Sequence, residues 1–219
     1  MELLLAAGLA LLLGVLLLGL RVALLRGAGE HRPGKRGRVS LLVVAGSGGH
    51  TTEVLRLLSA LSTSYYPVHY VLAETDRMSE EKIRTFEASK DKTSADAGEC
   101  HQYTIQRIPR SREVRQSWSS SLLSTLRSCA YSLPVTYRLM PDVILCNGPG
   151  TCIPICFSAI LLGILGIKKI LIIYVESICR VESLSLSGKI LYYVADHFIV
   201  QWPLLKDKYP NSVYLGRIV

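Results

Sequence analysis

Two segments of this chain, VSLLVVA at Val39–Ala45 and KILIIYV at Lys169–Val175, are apolar at almost every position. Alternation would mark a strand buried on one side; continuous apolarity requires cover on both. Further strand-like runs lie at His69–Ala73, Tyr103–Ile108, Asp142–Cys146, His197–Gln201 and Val213–Leu215. Helix-like segments separate them, at Thr51–Ser62, Ser79–Ser89, Ser117–Leu139, Ile153–Leu165, Ser187–Val194 and Pro203–Lys208. This alternation predicts an α/β fold with a parallel sheet between two helical layers. With 219 residues, there is room for one such domain and an appendage.

The appendage is the N-terminal stretch. Leu3–Leu20 carries no charge, and after Arg21 the apolar character resumes through Leu25. A membrane-spanning helix needs roughly 20 such residues, so residues 3–25 are expected to form a transmembrane anchor. A cleaved signal peptide is the alternative, with Gly27-Ala28-Gly29 resembling a cleavage site, but Met1-Glu2 brings no positive side chain. Arg26, Arg32, Lys35, Arg36 and Arg38 follow the segment, which favours a cytosolic body. Residues 26–38 read as a basic linker suited to anionic headgroups, and residues 39–219 as the folded domain.

Composition agrees with a cytosolic body. No Asn-x-Ser/Thr acceptor occurs. The six cysteines form no CxxC pair, so neither zinc nor a redox motif is signalled. Cys129, Cys146, Cys152, Cys156 and Cys179 lie in apolar surroundings and read as reduced and buried, with Cys100 in a polar loop. The run Thr151–Ile167 is uncharged and apolar on nearly every helical face, so a second membrane span competes with a buried helix. Pro154 and the Lys168-Lys169 pair favour the buried helix. The net charge of +8 is concentrated in the linker and in Arg107–Arg115, and no aromatic-basic platform points to nucleic acid.

Chemistry is concentrated where predicted strands end. The first run leads into Gly46-Ser47-Gly48-Gly49-His50-Thr51. Such a glycine turn frees backbone N–H groups for an anion at a helix N-terminus, and a phosphate is the natural occupant. A dinucleotide fingerprint fits only in part. Glu74 or Asp76 stands where a ribose would be held, but Thr51 occupies the third glycine position and His50 crowds the turn. No Tyr stands four residues before a Lys. A membrane-tethered NAD(P)-dependent oxidoreductase therefore stays only as an alternative. His50, at a helix start, is placed to remain neutral and serve as a general base, or else to cap the helix. A second turn, Asn147-Gly148-Pro149-Gly150-Thr151, follows the fourth predicted strand, and Glu176-Ser177 follows the fifth. In a parallel sheet these three strand ends share one edge, where ligands bind. Glu176 has a second reading as an ion-pair partner of Arg180 or Lys169. Arg107, Arg110, Arg112 and Arg115 read as contacts for a diphosphate or the membrane surface, or as a solvated loop. No acidic cluster calls for a metal.

Taken together, VVAGSGGHTTEVLRLL, QRIPRSREV, CNGPGTCIPIC, YVESICRVESLSLSGK and QWPLLKDKYPNSVYLGRIV resemble one known family across Val39–Val219. It is the membrane-anchored, acceptor-binding subunit of the endoplasmic-reticulum UDP-N-acetylglucosamine transferase. The anchor is similar only in character. The same region is similar to the N-terminal half of the bacterial lipid-linked GlcNAc transferase of peptidoglycan synthesis, a GT-B enzyme. In the bacterial family the acidic motif reads His-Glu-Gln-Asn; the corresponding Val175-Glu176-Ser177-Ile178 keeps only the Glu.

The resemblance implies a Rossmann-like domain, the N-terminal half of a GT-B glycosyltransferase, preceded by a transmembrane helix. It implies that Gly46, Ser47, Gly48, Gly49, Thr51, Asn147, Gly148, Gly150 and Thr151, with Arg110 and Arg112, hold a dolichyl-diphosphate-GlcNAc acceptor. His50 is the first choice for catalytic base and Glu176 the second. It further implies that a separate cytosolic subunit binds UDP-GlcNAc, with Tyr214, Leu215, Ile218 and Val219 in the docking surface. The activity would be an inverting transfer forming dolichyl-diphosphate-GlcNAc2 for asparagine-linked glycans, on the cytosolic face of the endoplasmic reticulum. No cofactor and no metal are expected, and the chain alone would be inactive. A non-catalytic recruitment scaffold is the other alternative.

Overall fold

The computed structural model describes residues 37–93, 102–111, 118–148 and 150–219. The anchor at 3–25, most of the basic linker, Cys100, Arg112 and Arg115 lie outside the described residues.

Within them, all seven expected strands pair into one parallel sheet. They are β1 (Leu41–Val44), β2 (Val68–Ala73), β3 (Tyr103–Ile108), β4 (Val143–Asn147), β5 (Leu171–Val175), β6 (His197–Val200) and β7 (Val213–Tyr214). The six helices are α1 (Gly49–Ser59), α2 (Arg77–Thr93), α3 (Trp118–Leu139), α4 (Cys152–Ile164), α5 (Leu186–Leu191) and α6 (Pro203–Lys208). The spatial order is β3-β2-β1-β4-β5-β6-β7. The chain winds outward from β1 in one direction, then crosses back to lay β4 on its other side. Register aligns Val44 with Val71 on one flank and with Cys146 on the other, and Asn147 with Val175. The carboxyl ends of β1, β4 and β5 thus meet at one edge.

Continuous apolarity in the strands has the expected cause. Leu42, Val44, Ile144, Cys146, Ile172 and Tyr174 face one layer with Ile155, Ala159 and Leu162 of α4. Leu41, Val43, Val143 and Leu145 face the other, with Val54 and Leu58 of α1 and Ile83 of α2. Alternate residues of one strand therefore enter two separate cores. Leu162 is almost fully buried, and Leu162→Ala is expected to destabilise the body by about 2–5 kcal/mol, measured as a lower urea midpoint.

The uncharged run after β4 forms α4, a 13-residue helix whose Cys152, Ile155, Cys156 and Ala159 pack on the sheet. Pro154 sits in its first turn, where a missing N–H removes no helical bond. No described helix is long and apolar enough to cross a membrane. The cysteine reading needs correction at two positions. Cys146, Cys152 and Cys156 are buried, but Cys179 is exposed and Cys129 half-buried, because Cys179 falls in the irregular loop after β5 rather than on a packed face.

Candidate functional site

The first turn is built by two constraints. Ala45 N–H donates to the Val71 carbonyl (2.9 Å), holding the end of β1 in the sheet. Gly48 then takes a positive φ of 67°, which a glycine adopts without strain, and the chain passes straight into α1. The helix starts at Gly49, two residues earlier than periodicity indicated, so His50 belongs to its first turn. No side chain caps this end, and Ser47, Gly48 and Gly49 are exposed. Orphan N–H groups of a helix N-terminus thus face the crevice, an arrangement suited to an anion. Lys82 of α2 adds a positive charge, its Nζ donating to the Gly48 carbonyl (3.3 Å) and Thr52 Oγ1 (3.2 Å).

Thr51 does something other than contact a ligand. Its side chain is buried, donates to the Gly46 carbonyl and lies 2.7 Å from Ser79 Oγ. Ser79 in turn donates to Asp76 Oδ2 (2.7 Å), and Asp76 Oδ1 accepts from Ser79 N–H at the start of α2 (3.1 Å). Thr51 is thus a loop brace, and Asp76, one of the two candidates for holding a ribose, is a helix cap.

The second turn meets the first at the crossover between β1 and β4. Asn147, with no exposed surface, places Oδ1 3.1 Å from His50 Nδ1. Gly148 adopts φ 68°, and the His50 ring lies so close that a Cβ there would stand 2.5 Å from Cε1. Gly150 is exposed, and Thr151 precedes α4 without making a side-chain cap. The N-termini of α1 and α4 therefore converge on the switch point of the sheet, the position where open α/β sheets bind ligands. Arg110 is half-buried beyond β3. Arg107 is taken up by Glu80, at 2.6 Å.

Glu176 reaches the same edge but points into the protein. It has no exposed surface; Oε1 accepts from Ser177 N–H (3.0 Å), and Oε2 from Ser185 N–H (2.9 Å) and Ser185 Oγ (3.0 Å). Burial pushes its carboxyl above the usual range, while the bonds from Ser185 and Ser177 and the charge of Arg180 pull it back. Its hydrogen-bond partners are thus Ser185, Ser177 and, at 3.5 Å, the Tyr174 hydroxyl, and Arg180 acts on it as a nearby charge. Gly188 leaves just enough room for this carboxylate: a Cβ there would meet Oε2 at 2.2 Å.

One central residue escapes the sequence reading. Glu53 of α1 is nearly buried and joins all three strand ends. Its Oε2 accepts from Asn147 Nδ2 (2.9 Å) and Ile178 N–H (3.4 Å), its Oε1 from Ser177 Oγ (2.8 Å). The signal was its place three residues after His50, on the same helical face. Lys82 had no local signal at all.

The C-terminal segment ties into this network. Gln201 Nε2 donates to the Glu176 carbonyl (2.9 Å) while its Oε1 accepts from Ile218 N–H (3.2 Å). Trp202 Nε1 donates to the Ile178 carbonyl (2.7 Å). Tyr214, the last residue of the edge strand β7, and Leu215 after it are exposed, Ile218 packs on the second core and Val219 is half-buried.

This topology and crevice define a Rossmann-like α/β domain with its ligand edge at the switch point of a parallel sheet. The crystal structure of Acinetobacter baumannii MurG shares the fold, with a TM-score of 0.54 and 15% identity over 81% of this chain and 45% of that one. The present chain thus spans about half of MurG's length. It belongs to the family described as oligosaccharide biosynthesis protein Alg14 like, whose model matches residues 41–218. The "UDP-N-acetylglucosamine transferase subunit ALG14" of Homo sapiens is 63% identical over 185 residues, 84% of this chain and 85% of that protein. The Rattus norvegicus subunit is 59% identical over 214 residues, 98% of this chain and 95% of that one. That of Schizosaccharomyces pombe is 44% identical over 182 residues, 81% and 82% respectively. Membership in this family sets the oxidoreductase alternative aside.

Proposed function

We propose that this chain is the membrane-anchored, acceptor-binding subunit of a two-component UDP-N-acetylglucosamine transferase. Residues 3–25 anchor it in the endoplasmic-reticulum membrane, residues 26–38 link anchor to body, and residues 39–219 form the body on the cytosolic face. The crevice between β1 and β4 holds the diphosphate of dolichyl-diphosphate-GlcNAc. The groups used are the backbone N–H groups of Ser47, Gly48, Gly49 and Gly150 at two helix N-termini, with Arg110 and Arg112 as further contacts for the diphosphate. A separate cytosolic subunit brings UDP-GlcNAc, docking against Tyr214, Leu215 and the end at Ile218-Val219.

The reaction is an inverting displacement. The acceptor sugar's 4-hydroxyl oxygen bonds to C1 of the incoming GlcNAc as the C1–O bond to UDP breaks. His50 takes the hydroxyl proton and UDP leaves as the anion. Glu176 does not share this role: with no exposed surface and its carboxylate engaged by Ser177, Ser185 and Tyr174, it holds the loop that follows β5. The observation that carries the reading is the placement of His50 beside two uncapped helix N-termini at the switch point.

The test is GlcNAc transfer to a short-chain lipid-diphosphate-GlcNAc acceptor by the assembled complex. His50→Ala is expected to lower kcat about 100-fold or more, the range of a lost general base, with assembly unchanged. A near-wild-type rate would overturn the base role and favour a recruitment scaffold. Product formed by this chain without its partner would overturn the two-component model.

A further inference from the structure

The structure assigns Glu53 as the positioning residue that sets the tautomer of His50, through the side-chain amide of Asn147. The assignment rests on the reading of His50 as the base, and each link in it is dictated by donor and acceptor chemistry. Asn147 Nδ2 lies 2.9 Å from Glu53 Oε2 and 3.4 Å from the Val175 carbonyl oxygen. Both partners only accept, so the amide atom facing them must be the NH2 group. The carbonyl end, Oδ1, then faces His50 Nδ1 at 3.1 Å. An amide oxygen cannot donate, so Nδ1 must carry the ring proton. In the neutral imidazole this leaves Nε2 as the unprotonated nitrogen, the atom able to accept a proton from a hydroxyl.

Glu53 is itself oriented from two further sides. Cys179 N–H donates to Ser177 Oγ (3.3 Å), so the Ser177 hydroxyl proton is directed to Glu53 Oε1 (2.8 Å). Ile178 N–H adds a donor to Oε2 (3.4 Å). The chain of bonds therefore runs from the loop after β5, through the first turn and a half of α1, to the end of β4 and back to His50. Without an acceptor at position 53, Asn147 gains nothing from this orientation. Its amide is then free to turn, present NH2 to His50 and demand a lone pair on Nδ1. The proton would move to Nε2, the form imidazole side chains prefer in water, and the base would be lost although every atom of His50 remained.

The experiment uses the full chain in lipid nanodiscs with 15N-labelled histidine, at alkaline pH, with His50→Ala to assign the signal. Wild-type His50 is expected to show a protonated Nδ1 and an unprotonated Nε2, and the reverse pattern overturns the assignment without any variant at position 53. Glu53→Met keeps the length and removes the acceptor; it is expected to shift His50 toward Nε2–H. In the assembled complex its kcat should fall about 10-fold or more, part of the roughly 100-fold or larger loss of a missing general base, with KM for the lipid acceptor little changed. Glu53→Gln keeps an acceptor oxygen for Asn147 and should restore both the tautomer and the rate. In the His50→Ala background Glu53→Met should cost less than about 2-fold, because coupled residues are not additive. An equal loss in both backgrounds overturns the assignment. A near-wild-type rate for His50→Ala would instead sink the base reading, while the nitrogen spectra still decide the tautomer.

Discussion

Gly188→Ala is expected to destabilise the body strongly, because its methyl group meets a closer contact than one at Gly148 or Gly150 would. The added Cβ would lie 2.2 Å from Glu176 Oε2 and 3.1 Å from Ser185 Oγ. A clash with the tip of a side chain is usually relieved by a rotamer change, but this carboxylate has nowhere to go. It has no exposed surface, and Ser177 N–H, Ser185 N–H and Ser185 Oγ all donate to it. Ser185 also caps α5 by accepting from Gly188 N–H at 2.9 Å, so the cap and the cage share one residue. Moving Glu176 breaks bonds to a charged group, each worth about 1.5–3 kcal/mol, and overpacking adds about 1–3 kcal/mol. A total loss near 4 kcal/mol is expected, a large part of the 5–15 kcal/mol that holds a typical domain together. Urea denaturation of the body measures it, and a loss below about 1 kcal/mol would show that the carboxylate has a second seat. The partner change separates cage from packing: in a Glu176→Ala background, Gly188→Ala should cost almost nothing more.

The cage also shows where sequence reasoning reached its limit. The strands were legible because β1, β4 and β5 are buried on both sides, so their runs of Leu, Ile and Val have no polar face to confuse the pattern. The glycine turns were legible because positive φ at Gly48 and Gly148 needs that residue type. Glu176 was visible as a carboxylate at a strand end, but its direction was not. That depends on Ser185 and Gly188, which lie nine and twelve residues further on and only acquire meaning once α5 folds back. Glu53 was hidden for a related reason. A Glu in the first turns of an amphipathic helix normally faces water, and only the arrival of Asn147 and Ser177, more than ninety residues away, buries it. Thr51 misled in the opposite sense: sequence adjacency to the glycines made it look like a ligand contact, whereas its hydroxyl braces Gly46 from inside. Local pattern located the edge on which chemistry occurs; the pairing of polar groups across that edge is a tertiary property.

Gly148→Ala should separate stability from activity where Gly188→Ala does not. Here the added Cβ would stand 2.5 Å from His50 Cε1 and 2.8 Å from Nδ1, at a backbone φ of 68°. The left-handed conformation costs an alanine about 1–2 kcal/mol, and the steric conflict adds little, because His50 is half-exposed and its ring can swing outward. That swing breaks the 3.1 Å contact between Nδ1 and Asn147 Oδ1, which holds the imidazole over the second turn. The ring then samples many positions, and a base displaced by about 1 Å loses roughly 100-fold in rate. Gly148→Ala is therefore expected to lower kcat about 100-fold, close to the loss for His50→Ala, while stability falls by no more than about 2 kcal/mol. Transfer by the assembled complex and urea denaturation of the same variant measure the two quantities. A rate within about 10-fold of wild type would mean that His50 needs no fixed seat to act, and the positioning of the ring by Asn147 would fail as an explanation. A stability loss as large as that of Gly188→Ala would mean that the ring packs as part of the core rather than standing at the mouth of the crevice. In the His50→Ala background the methyl group meets no ring at all, so Gly148→Ala should there retain its conformational cost and lose its effect on rate.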